Sequence, residues 1–181
     1  MANVLTYGIV ESPVGALLLT SDGDGLTGLY PHTPRAPPIM SAMWRRNDAF
    51  FTGVRDQLEA YFEGRLTRFD VALSPAGTAF QQRVWEALVE IPYGTTVTYG
   101  ELAARLGKPT GSRAVGLANG KNPISLIVPC HRVVGANGKL TGYAGGLEMK
   151  RWLLDHEAGI AQRGAQLPLV EPVSNHPRLS V

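Results

Sequence analysis

Cys130 and His131, side by side in Pro129-Cys-His-Arg132, are the residues best suited to chemistry in this chain. A thiolate is a nucleophile, and a neighbouring imidazole or cation favours the charged form of sulfur. Glu157, on an expected last helix, is placed to orient the imidazole as the third member of a triad. Adjacent residues on an extended chain point to opposite sides, so His131 reaches Cys130 through a bend or a bridging water. On the residues alone two readings stand: an activated nucleophile, or a buried inert thiol beside an ordinary surface histidine. Cys130 is the only cysteine. That excludes an internal disulfide and a zinc site built on several thiolates.

The pair lies in a basic stretch. Residues 1–90 carry seven arginines and ten acids, a net of −3, while residues 91–181 carry ten bases and five acids, a net of +5. No acid falls between Glu101 and Glu148, yet Arg105, Lys108, Arg113, Lys121, Arg132 and Lys139 do. Uncompensated cations over that length suit a polyanion, although a solvated face has the same composition. With 181 residues, 44% hydrophobic and 18% charged, the chain can bury a real core and is not of the disordered class. No apolar run approaches the roughly 18–20 residues needed to cross a bilayer. The start, Met-Ala-Asn-Val-Leu, lacks a secretory pattern, so a cytoplasmic protein is expected.

The elements that must position these residues follow from pattern. Leu5–Val10, Ala16–Thr20 and Leu26–Tyr30 read as a β meander joined by Ser-Pro-Val-Gly and Asp-Gly-Asp-Gly turns. Four prolines from Pro31 to Pro38 mark a loop. A helix is predicted over Asp48–Phe62, with Phe51, Val54, Leu58, Tyr61 and Phe62 on one face. Arg68–Leu73 reads as short and β-like, and Ser74-Pro-Ala-Gly77 as a linker. Thr78 with Gln81 forms a capping-box signature before a helix carrying Phe80, Val84, Ala87, Leu88 and Ile91. Thr98–Gly107 and Ser112–Asn119, across a Lys-Pro-Thr-Gly turn, form a helix-turn-helix pattern. Many helical hairpins of that kind bind nothing. Ile124–Val128 reads as a buried strand, Thr141–Gly146 as a glycine-rich loop and Leu147–Glu157 as a helix.

Ile127-Val-Pro-Cys-His-Arg-Val-Val134 resembles the active-site signature of the O6-alkylguanine-DNA alkyltransferases (methylated-DNA–protein-cysteine methyltransferases). The likeness runs from about Phe80 to Glu157. It takes in Pro92-Tyr-Gly94 with Thr98-Tyr99, Arg113-Ala-Val-Gly116, Asn122-Pro123, Tyr143-Ala-Gly-Gly146, and Lys150 with Trp152-Leu-Leu154 and Glu157.

The resemblance implies an α+β protein. Residues 1–76 form a ribonuclease-H-like α/β domain with an antiparallel sheet. Residues 77–160 form a mostly helical catalytic domain with the helix-turn-helix, and residues 161–181 a tail. It implies direct reversal of DNA damage, in which O6-alkylguanine is flipped from the duplex and its alkyl group moves irreversibly to Cys130. His131, through water, and Glu157 resemble the relay that deprotonates Cys130. Tyr99 resembles the tyrosine that protonates or polarises the departing guanine. Arg113 resembles the arginine that fills the gap in the base stack. Ala114, Gly116 and Ala118 resemble the small residues that approach the minor groove, and Asn122 the hinge behind them. Val133, Tyr143, Ala144, Gly145 and Lys150 correspond to the substrate pocket. The implied partner is double-stranded DNA containing O6-alkylguanine, bound by a monomer, with cooperative loading left open. No cofactor, metal or membrane is implied.

Departures from the family's variants bear on this reading. The N-terminal region has no cysteine, so the structural zinc of some members is not expected. No regulatory domain with a second acceptor cysteine is expected. Ala144 stands where some members have serine. Two other classes remain: a lesion-binding module without transfer, and a cysteine hydrolase using Cys130, His131 and Glu157.

Overall fold

Leu17, Leu18 and Leu19 are fully buried in the second of three meander strands, so this strand lies at the centre of its sheet. In the computed structural model, which describes residues 5–31 and 43–166, the meander comprises β1 (Thr6–Val10), β2 (Leu17–Ser21) and β3 (Leu26–Pro31). Its pairings are antiparallel, as the alternation predicts. A two-residue strand, β4 (Arg45–Arg46), joins β1 in parallel, giving the order β3-β2-β1-β4. The three meander strands form the expected antiparallel sheet, and β4 adds a two-residue parallel pair at its edge. Two exposed arginines carry no strand period, and the pairing rests on backbone bonds such as Arg45 N–H to the Leu5 carbonyl.

Asn47 caps a short 3-10 turn, Asp48–Phe51, which leads into α1 (Thr52–Phe62). The predicted helix thus begins as a tighter coil. Helix α2 (Ala79–Val89) opens on the expected Thr78–Gln81 capping box. A short strand β5 (Val97–Thr98) precedes α3 (Tyr99–Arg105), which is followed by α4 (Ser112–Gly120) and by β6 (Val133–Val134), parallel to β5. Leu102 and Ala103 on α3 and Val115 on α4 bury the inner face of the helix-turn-helix. One continuous apolar core joins Leu29, Leu58 and Tyr61 of the sheet unit to Trp85, Leu102, Val128 and Leu153. Each fully buried leucine there stabilises the fold by about 1.5–3 kcal/mol.

Three expectations change. Ile124–Val128 is not a strand: it makes one bridge, Ile124 with Leu29, and then coils so that Val128 N–H reaches the Ile124 carbonyl. A short apolar run looks alike in a buried turn and a buried strand. Arg68–Leu73 likewise contributes one bridge, Leu73 with Leu26. Together these segments cover the free edge of β3, which otherwise has open backbone groups. Finally, α5 spans Gly146–Gln166, so the first residues of the expected tail are helical. Gly159 and Gly164 weaken the sequence signal, but Ile160 packs over Gly64 and Ala161 over Gly94. The rest of that tail and the proline-rich stretch beyond Pro31 lie outside the described residues. Among the described residues, no helix is long and apolar enough to cross a membrane.

Candidate active site

The chemistry centres on a single 3-10 turn. Pro129 ends the buried Ile124–Val128 coil, and Cys130–Arg132 then turn once before β6. The turn replaces the extended geometry expected from sequence, so no strand alternation separates Cys130 from His131. Asn122 holds the preceding coil: its Nδ2 donates to the Val128 and Ile124 carbonyls at 2.8 and 3.3 Å. Its Oδ1 accepts from Ile124 N–H at 3.0 Å. One buried amide thus ties the end of α4 to the cysteine segment.

His131 is fully buried, and its Nε2 lies 2.8 Å from Glu157 Oε1. Its Nδ1 has no protein partner among the described residues. Glu157 is equally buried and gathers donors from four directions. Arg132 reaches it through Nε (2.8 Å) and Nη2 (3.0 Å), Tyr61 through its hydroxyl (2.7 Å), and Gly94 through its backbone N–H (3.1 Å). Gly94 adopts φ +72°, and a Cβ there would collide with Ala161 and crowd the Glu157 backbone. Glycine alone lets that amide approach.

Charge follows from these contacts. Burial alone pushes the Glu157 carboxyl up, but bonds from His131 and Arg132 hold it well below the usual carboxylate range. Burial pushes His131 down, against the pull of Glu157. It pushes the Cys130 thiol up, opposed by Asn122 and the Lys150 ammonium. The resting pair is therefore a thiol and a neutral imidazole, not the preformed thiolate suggested by the basic surroundings. Arg132 is the adjacent cation, and Glu157 and the Ile91 carbonyl occupy it. Lys150 Nζ donates to the carbonyls of Val133 (2.7 Å) and Thr141 (3.1 Å), fastening β6 to the glycine-rich loop.

An open cleft of about 660 Å³ is lined by Tyr99, Ser112, Arg113, Gly116, Gly120 and residues 141–144. Cys130 is 6% exposed and does not itself line the cleft. Tyr143 links the cleft to the turn: it lines the cleft, and its ring is edge-on to His131 with centroids 6.4 Å apart. Tyr99 crosses the cleft to bond Thr141 Oγ1 at 3.0 Å. Ala144 is exposed at the rim, while Gly145 packs against Met149. Helix α4 presents Arg113, Ala114, Leu117 and Gly120 outward.

Ala118 does not join that outer face. It is buried, and its carbonyl accepts from Trp85 Nε1 at 3.0 Å. Small size suits an inner helix contact as well as a groove, so sequence did not separate the two. Sequence reasoning also missed Tyr61, Arg132 and Leu117. Leu117 is 69% exposed, four residues beyond Arg113, and that spacing was readable. Among the described residues no cluster of three or more His, Cys, Asp or Glu side chains could hold a metal ion.

A sheet unit, a helix-turn-helix and a buried cysteine beside a hydrogen-bonded histidine–glutamate pair define a helix-turn-helix protein with one buried free cysteine among its described residues. Residues 5–75 match the family model of the 6-O-methylguanine DNA methyltransferase ribonuclease-like domain, and residues 79–159 that of its DNA-binding domain. The chain belongs to this family. The methylated-DNA–protein-cysteine methyltransferase of Methanosarcina acetivorans is 55% identical over 151 residues, 83% of this chain and 97% of that one. Its Mycobacterium tuberculosis counterpart is 53% identical over 154 residues, covering 85% and 93%. The crystal structure of the M. tuberculosis O6-methylguanine methyltransferase superposes with a TM-score of 0.81 at 52% identity, covering 86% of this chain and 94% of that one. The same organism's protein in complex with DNA gives 0.80, at the same identity and coverage.

Proposed function

We propose that this chain reverses O6-alkylguanine damage in double-stranded DNA by taking the alkyl group onto Cys130, once per molecule. The observation that carries the reading is that Cys130 shares one 3-10 turn with His131, which Glu157 holds, while Tyr143 lines a cleft with Tyr99 and Arg113 and packs edge-on to His131. Family membership over both halves supports it.

A base must leave the stack before its O6 substituent can meet sulfur in line. The Cys130 proton passes through a water to His131 Nδ1, while Glu157 holds Nε2 and stabilises the imidazolium. Sulfur attacks the alkyl carbon, the S–C bond forms, and the C–O6 bond breaks with its electron pair going to guanine. The Tyr99 hydroxyl polarises or protonates that departing base, so the net balance moves one proton from sulfur to guanine. Val133 offers its carbonyl, shared with Lys150, to the exocyclic amine. Tyr143, Ala144 and Gly145 form the wall around O6.

Arg113 fills the vacated stack, and the α4 face of Arg113, Ala114, Leu117 and Gly120 lies in the minor groove, with Gly116 at the cleft floor. Exposed Arg105, Lys108, Lys121 and Lys139 supply phosphate contacts. Asn122 is the hinge between that helix and the cysteine turn. The protein acts as a cytoplasmic monomer, with residues 1–76 and 77–160 as its two domains joined at the Ser74–Gly77 linker.

The test is transfer of labelled methyl from an O6-methylguanine duplex to the unaltered chain and to Cys130→Ser. Label moves to the first and not the second, and Cys130→Ser still binds the duplex. Binding without transfer by the unaltered chain leaves a lesion-binding module. Continued release of small product leaves a cysteine hydrolase.

A further inference from the structure

Glu157 Oε1 meets three partners, Arg132 Nη2 at 3.0 Å and two others that come from different halves of the chain. His131 Nε2 lies 2.8 Å from it in the helical half, and the Tyr61 hydroxyl lies 2.7 Å from it on α1 of the ribonuclease-like half. Tyr61 is fully buried and 96 positions from Glu157 in sequence. It is held independently of that bond. His156 Nε2 lies 3.0 Å from its backbone carbonyl, and its ring packs on Phe62, Phe69 and Tyr93.

We infer that Tyr61 is a positioning residue of the alkyl-transfer relay, supplied by the other half of the molecule, which sets how strongly Glu157 pulls on His131. A hydroxyl that donates to Oε1 draws charge from the same oxygen that faces the imidazole. Less charge there stabilises the imidazolium less, so His131 stays neutral with Nδ1 able to accept the thiol proton. The other charged or titratable groups around the pair are Arg132, Lys150, Cys130, Tyr93, Tyr143 and His156. Arg132 is bound to both carboxylate oxygens, and Lys150 to two carbonyls. His156 faces the Tyr61 carbonyl. None of these bonds involves the Tyr61 hydroxyl, so its removal leaves them in place. The inference rests on the transfer reaction proposed above.

The experiment is the pH dependence of single-turnover methyl transfer from a saturating O6-methylguanine duplex, with the unaltered chain as control. Tyr61→Phe keeps the ring and removes only the hydroxyl. It should move the acidic limb up by about half a pH unit, about threefold in rate at a fixed pH on that limb. Duplex affinity should not change. Site-specific 3-fluorotyrosine at position 61, a stronger donor of the same shape, should move the limb down. Opposite shifts are not produced by a structural role. Superimposable profiles, or an equal loss of rate at every pH, would overturn the assignment while methyl transfer by the unaltered chain upholds the function. No transfer by the unaltered chain would overturn both.

Discussion

Arg132 grips Glu157 with two nitrogens, Nε 2.8 Å from Oε2 and Nη2 3.0 Å from Oε1, and gives its third to the Ile91 carbonyl at 2.6 Å. The guanidinium neutralises a buried carboxylate without taking the place of His131. Its removal strands that charge in the core. Arg132→Leu should therefore cost about 3–5 kcal/mol, read by urea unfolding through tryptophan fluorescence. Arg132→Lys keeps the charge but lacks the planar fork, and should recover only part of the loss.

Acid should weaken the fold in two stages. His131 is depressed below its ordinary 6.5 by burial, so the unfolded chain takes up its proton first and stability falls as pH drops beneath that value. Glu157 is also depressed, despite burial, by its bonds to His131 and Arg132. Its contribution is complete above the ordinary 4.5 and is lost as pH falls through the range below. Unfolding free energies between pH 8 and pH 3 test this: Glu157→Gln should abolish the lower step and enlarge the upper one, because it removes the pull that opposes burial at His131.

Gly94→Ala should cost about 1–2 kcal/mol from the left-handed backbone alone, and more from the contact with Ala161. Methyl transfer should slow with it, because the Gly94 N–H holds Glu157 Oε2. Thermal unfolding and a single-turnover rate on one sample measure both.

Leu117 is exposed on the outer face of α4, so Leu117→Ala should leave stability within about 0.5 kcal/mol of the unaltered chain. Binding should weaken: partial burial of the lost carbons in a groove is worth about 1 kcal/mol, about fivefold in Kd. Arg113→Ala should reduce both duplex affinity and transfer rate. Titrations of labelled duplex by anisotropy separate the two variants. Unchanged binding in Leu117→Ala would remove that residue from the interface.

Cys130, His131 and Glu157 were legible as candidate site residues because they combine rare chemistry with a specific local pattern, and the buried His131–Glu157 bond brings two of them together. Tyr61 was visible only as one apolar position among five on the helix predicted over Asp48–Phe62, since helical period reports that a side chain is inside and not what its hydroxyl meets. Arg132 read as a phosphate-binding cation, because burial reverses the use of an arginine and cannot be seen in a charge count. Ala118 read as a groove residue, since alanine carries no sign of which face it occupies. The Ile124–Val128 turn was hidden because its backbone bonds go to Asn122 and β3, partners distant from any local pattern.

The central claim is that one sulfur accepts one alkyl group. It is tested most directly by the intact mass of the protein after incubation with excess O6-methylguanine duplex. The account predicts a gain of one methyl, mapped to the peptide containing Cys130, that does not increase with longer incubation. No gain, a gain at another residue, or a gain that grows beyond one methyl would contradict it.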